Sequence, residues 1–130
     1  MNLTGLLSVT GKPGLYRMVG NRKNGLVIEP INGGKREFAP TRLHQFTPVE
    51  SIAIFTDDGE SVPIKDVIAR MMEQREDNPP PSGKVDNATL REYLLDVLPN
   101  HDQDRVYPSD IKKLVKWFAL LDGSGVLEEE

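Results

Sequence analysis

Side chains able to do acid–base or nucleophilic chemistry are sparse in this chain. Its 130 residues hold two histidines and no cysteine. The missing thiols exclude disulfide scaffolds, thiolate zinc sites, iron–sulfur clusters and cysteine nucleophiles. His44 lies in Thr41-Arg-Leu-His-Gln-Phe46, read as a connector, and His101 stands beside Asp102. Sequence neighbours need not face each other, so both are read as surface histidines. No serine sits in a nucleophile elbow, and no Gly-x-x-x-x-Gly-Lys phosphate loop occurs. The adjacent carboxylates Asp57 and Asp58 fall in a turn, where aspartate is favoured because its side chain bonds local backbone. The run from Asn100 to Ile111 lies between two helical patterns, as in a calcium loop. Such a loop needs glycine at position 6 and a bidentate carboxylate at position 12; Arg105 and Ile111 stand there instead. No catalytic residue, cofactor or metal ligand is therefore assigned, and the chain is expected to be non-enzymatic.

Two groups of residues could instead bind a macromolecule. Arg17, Arg22, Lys23, Lys35 and Arg36, with Arg42 nearby, lie in or beside strands and hairpin turns, and Tyr16 and Phe38 could offer stacking faces between them. Cations that follow a phosphate backbone, interleaved with aromatic platforms, are what single-stranded RNA or DNA binding requires. Trp117 and Phe118 lie on a C-terminal helical stripe, and a tryptophan at a stripe's margin suits contact with a protein partner or a second copy. The formal net charge of −4 conceals an uneven distribution. Residues 1–56 carry seven basic and three acidic side chains, a balance of +4, whereas residues 76–130 carry six basic and twelve acidic ones, a balance of −6.

The elements that must position these residues change character along the chain. Gly14–Val19 alternates with period 2, Asn24-Gly25 is a hairpin signal, and Leu26–Pro30 returns. Lys35–Ala39 and Ser51–Thr56 read as further strands, and Asp57–Glu60 turns the chain into Ser61-Val-Pro63. Pro63 then suits the first turn of a helix whose stripe is Ile64, Val67, Ile68, Met71 and Met72. Glu76–Lys84 contains three consecutive prolines and reads as an extended spacer. Beyond it, Asp86 or Asn87 caps a helix with the stripe Leu90, Tyr93, Leu94, Val97 and Leu98, ended by Pro99. Ser109 or Asp110 caps another, with Ile111, Leu114, Val115, Phe118 and Leu121, stopped at Gly123.

This pattern predicts an α+β protein. A small N-terminal SH3-like β-barrel plus a flanking helix spans residues 1–76, a linker 77–84, a helical hairpin 85–122 and an acidic tail 123–130. The run Val9-Thr-Gly-Lys-Pro-Gly-Leu15 resembles the short motif of KOW-type, SH3-like barrels, which implies glycine-dependent turning and a basic residue that can reach RNA or protein. Together with Leu98-Pro-Asn-His-Asp-Gln-Asp-Arg-Val-Tyr-Pro-Ser-Asp-Ile-Lys-Lys-Leu-Val-Lys-Trp117, the segment Ser8–Arg17 resembles a family of uncharacterised two-part proteins of Bacteroidetes. That resemblance implies a bacterial cytoplasmic protein and brings no functional residue with it. No apolar run reaches the ~18 residues of a membrane span, and no basic start leads into an apolar export signal. The expected function is protein binding as an adaptor, with nucleic-acid or ribosome-associated binding through the basic hairpins as the alternative.

Overall fold

The structure, a computed structural model, describes residues 3–125. Two compact units divide the chain. Unit 1 comprises the described part of Met1–Ser51 with Ala119–Glu130, and unit 2 is Ile52–Phe118. The division falls at Ser51/Ile52, not at the proline run. The expected acidic tail lies, from Val126 onward, outside the described residues.

Unit 1 is built on β1 (Leu6–Val9), β2 (Tyr16–Arg22), β3 (Gly25–Pro30), β4 (Glu37–Pro40) and β5 (Phe46–Pro48). They form one antiparallel sheet in the order β4-β3-β2-β1-β5. Leu7, Val9, Tyr16, Ile28 and Ala39 form its core cluster, with Leu26 and Phe46 against it. The sheet is not a closed barrel: β4 and β5 are its two edges, and no ladder joins them among the described residues. The edge strands are four and three residues long and end on Pro40 and Pro48, which have no N–H to extend a ladder. The turn from β1 to β2 uses Gly11 and Gly14 at φ of 79° and 89°, as the glycine-rich run implied. Lys12 does not reach outward for a ligand, because its ammonium lies 2.8 Å from Glu37.

The β2–β3 hairpin differs from expectation. Arg22 pairs with Gly25, so Lys23 and Asn24 occupy the centre of the turn and Gly25 is already in the strand. Glycine is needed there for space. A Cβ would collide with the Ala39 carbonyl oxygen and lie 2.9 Å from the Phe38 ring.

Unit 2 holds β6 (Ala53–Phe55) and β7 (Ser61–Pro63), an antiparallel pair, with α1 (Ile64–Gln74) and α2 (Asn87–Val97). It also holds most of α3 (Pro108–Ser124). All three stripes are buried where the 3.6-residue period put them, except Met72, which is half-buried. Asp86 is the N-cap of α2, accepting from the Thr89 N–H at 2.8 Å. Hydrogen bonds from Thr89 hold its carboxyl below the usual carboxylate range. Helix α3 starts earlier than expected, because Pro108 suits a first helical turn and Asp110 accepts from the Tyr107 N–H. It also runs through Gly123; Gly125, at φ 80°, supplies the left-handed residue that ends it. The proline run belongs to unit 2 rather than spacing two bodies. A Cβ on Gly83 would lie 2.7 Å from the Lys116 stem of α3, and Asn78 bonds back to Gln74.

Candidate functional site

The three-residue strand β6 has two unequal edges. In an antiparallel ladder, alternate residues turn their N–H and C=O toward the partner. Ile64 N–H donates to the Ile52 carbonyl and Thr56 N–H to that of Glu60, both at 2.9 Å. The intervening residues, Ala53 and Phe55, therefore turn their backbone polar groups away from β7. Part of that outer edge is used. Phe55 C=O accepts from Asp102 N–H and Asp57 N–H donates to Asn100 C=O, each at 2.9 Å, and Thr56 bridges to His101. Ala53 has no such partner among the described residues.

Beside this edge lies an apolar groove of about 270 Å³, bounded by β6 and the first half of α3. Its base is made by buried residues, among them Ile64, Leu94, Ile111 and Leu114. Its margin carries half-buried Trp117 and exposed Phe55, Arg105 and Lys113. Arg105 sits over the Phe55 ring, 5.2 Å from its centroid, and its Nε lies 3.7 Å from Asp102. Of the two expected interface residues, Trp117 lines the groove, while Phe118 is only 3% exposed and offers no surface. Phe118 belongs to the apolar stripe of α3 and is buried with it, and of the two only its neighbour Trp117 reaches the surface.

The basic residues of unit 1 do not gather at one place. Tyr16 is buried and donates its hydroxyl to the Pro13 carbonyl at 2.9 Å, so it provides no stacking face. Arg17 lies opposite Glu29 across β2 and β3, and Arg36 stands 3.8 Å from the same carboxylate. Lys35 is exposed in a loop. Arg22 and Lys23 instead stand at the β2–β3 hairpin tip. Thr41 N–H bonds the Asn24 carbonyl there at 2.9 Å, which brings Arg42 close. Asn24, Phe38, Pro40, Thr41 and Arg42 line one shallow cleft, and Phe38 is 49% exposed.

Neither histidine has the setting of a surface residue. His44 is half-buried and donates from Nδ1 to the Thr10 carbonyl at 2.7 Å. His101 is 2% exposed, with Nδ1 2.7 Å from the Leu98 carbonyl and Nε2 3.0 Å from an Arg91 nitrogen. A carbonyl only accepts and a guanidinium only donates, so Nδ1 donates to Leu98 and Nε2 accepts from Arg91. Both its nitrogens are thereby engaged in structure.

A family model described as Domain of unknown function (DUF6852) matches residues 52–121. The chain belongs to DUF6852. A second model, Domain of unknown function (DUF5606), matches residues 3–48, so the two matches follow the two units. Every residue lining the groove lies inside the DUF6852 match. A structural-genomics protein from Bacteroides vulgatus, solved by solution NMR, is similar to this DUF6852 chain at 33% identity and a TM-score of 0.70, covering 96% of this chain and 89% of its own. The resemblance to an uncharacterised two-part family holds at that level. No functionally curated protein matches the chain. No helix among the described residues is long and apolar enough to cross a membrane.

Proposed function

We propose that this DUF6852 chain is a cytoplasmic, non-enzymatic adaptor that grips a protein partner through unit 2. The observation that supports it is the groove between β6 and α3, with Trp117, Phe55 and Arg105 at its margin. Tryptophan and arginine around a small apolar pocket are the residue types that dominate interface energetics. The test is affinity capture with the full chain, followed by identification of what is retained. A Trp117→Ala or Phe55→Asp chain that stays folded loses the partner, and Phe38→Ala keeps it. Equal recovery by all three rejects the groove. Sedimentation reads the version in which the partner is a second copy.

A second reading, binding of RNA or DNA, has one specific support. Arg42 lines one cleft with exposed Phe38 beside the hairpin tip that carries Arg22 and Lys23, and no acidic residue lines that cleft among the described residues. Fluorescence anisotropy of a labelled oligonucleotide tests it. Binding falls steeply between 50 and 200 mM salt and weakens in Phe38→Ala. An oligonucleotide that shows no anisotropy change at 50 mM salt ends this reading.

A further inference from the structure

We infer that the outer edge of β6 takes an extended acidic peptide of a partner protein as a third strand of the unit 2 sheet. This rests on the protein-binding reading above and specifies the partner's chemistry. Exposed sheet edges accept strands because their backbone groups are unpaired, and pockets beside the edge then select alternate side chains. Ala53 presents both its N–H and its C=O on that edge, and Phe55 its N–H, with no partner among the described residues. The edge is occupied only from the Phe55 carbonyl onward, by the backbone of residues 100–102, so the chain itself shows strand-like pairing there and leaves the next position open.

Side chains fix what the strand must look like. Successive residues of an added strand point to the two faces of the sheet in turn, level with those of β6. One set lies level with half-buried Ile52 and Ile54, toward Ile111 and Leu114, and must be apolar. The other lies level with Ala53 and Phe55, where Arg105 covers the Phe55 ring. The charge at this margin favours acids. Lys113 has no carboxylate partner among the described residues, and Arg105 reaches Asp102 only at 3.7 Å. The nearby Asp110 carboxylate is engaged with the Tyr107 N–H. The sequence that fits is therefore an alternation of apolar and acidic residues.

The test uses the full chain, isotope-labelled, and two capped heptapeptides, one alternating Glu with Val and the other Lys with Val. Trp117 is the sole tryptophan and reports on the groove by fluorescence. The Glu/Val peptide is expected to shift the Ala53 and Phe55 amide signals and the Trp117 emission saturably, and the Lys/Val peptide to do neither. Ala53→Pro removes an outward N–H without touching the β7 ladder, since an edge strand tolerates proline there. It weakens the Glu/Val peptide about tenfold. Lys113→Glu weakens it about threefold and flattens its salt dependence. A Glu/Val peptide N-methylated at alternate residues repeats the backbone test without altering the protein. Affinity unchanged by both Ala53→Pro and N-methylation overturns strand addition, and loss in Trp117→Ala alone would then leave a side-chain groove standing. Equal binding of the two peptides, or none by either, overturns the proposal, and affinity capture still decides the adaptor reading. A wild-type dimer that Ala53→Pro converts to monomer also overturns it, in favour of a second copy.

Discussion

At the scale of single residues, Tyr93 carries a measurable liability. Its hydroxyl is buried with no hydrogen-bond partner among the described residues, and burial, with Asp96 adding to it, pushes the phenol up to about 12. The folded form therefore holds its proton more tightly than the unfolded chain, whose phenol titrates near 10. The resulting stability is present below pH 10 and declines as pH rises toward 12. Tyr93→Phe removes both effects. It is expected to raise stability at pH 7 by about 1 kcal/mol, the cost of an unsatisfied buried polar group, and to lessen the alkaline decline; denaturant unfolding at pH 7 and above pH 10 reads both. A less stable Tyr93→Phe chain would show that the hydroxyl is satisfied. Gly25 is the opposite case. Because a Cβ there meets backbone rather than a flexible side chain, Gly25→Ala is expected to cost about 2–4 kcal/mol, and a thermal midpoint equal to wild type would contradict that. The Asn-Gly pair was legible as a hairpin signal, yet the reason for the glycine was not. It depends on Ala39 and Phe38, brought alongside only by the β3–β4 ladder.

At the scale of elements, the C-terminus of α2 shows how unit 2 satisfies its backbone. A helix leaves its last carbonyls without partners. Here Gln74 of α1 donates to the Asp96 carbonyl at 3.1 Å, Arg70 reaches that of Val97 at 3.4 Å, and His101 takes that of Leu98. His101→Phe keeps a ring but leaves the Leu98 carbonyl and the Arg91 nitrogen without this partner. It is expected to cost about 2–3 kcal/mol in chemical denaturation, whereas a surface histidine would cost nothing measurable. The N-terminus of α2 makes a pH prediction. The depressed carboxyl of Asp86 contributes stability that is present above the unfolded value near 3.8 and is lost as pH falls through the folded one. Asp86→Ala should lower the thermal midpoint at pH 7 and leave less difference between wild type and variant at pH 2.5; a constant difference would assign the effect to something other than the charge. The helices were legible because a stripe of five apolar residues repeats a 3.6 period strongly enough to be read. The strand β5, three residues long, contains too few alternations, whereas the equally short β7 was marked by the turn that precedes it. The pairing of Thr56 with His101 joins segments some 45 residues apart, and no local signal encodes it.

At the scale of the whole molecule, the charge asymmetry that first favoured a basic N-terminal module is reorganised by the division into units. The described part of Ala119–Glu130 belongs with Met1–Ser51 and adds one acid, Asp122, and no base, so the +4 of the first segment falls by one to a formal balance of +3 for the described residues of unit 1. Any contact with phosphates would then draw on this modest balance and on the local arrangement around Phe38. The same division makes unit 1 discontinuous, which the composition break at the proline run gave no reason to expect. Its sheet alone spans about 45 residues, a size at which a hydrophobic core is marginal. The end of α3 supplies part of what the strands lack. Leu121 is 0% exposed, and Leu120 lies 3.5 Å from where a Cβ on Gly14 would stand, at the turn into β2. A chain cut after Phe118 should therefore lose the slow hydrogen exchange of the β2–β3 amides, and a peptide of residues 1–51 should show collapsed amide dispersion. In the full chain, Leu121→Ala should cost about 2–5 kcal/mol, and the loss of hydrogen-exchange protection in β1 and β2 reads whether these strands depend on it. Unchanged exchange in those strands would mean that unit 1 folds on its first 51 residues and that the family boundary near residue 48 is also a folding boundary.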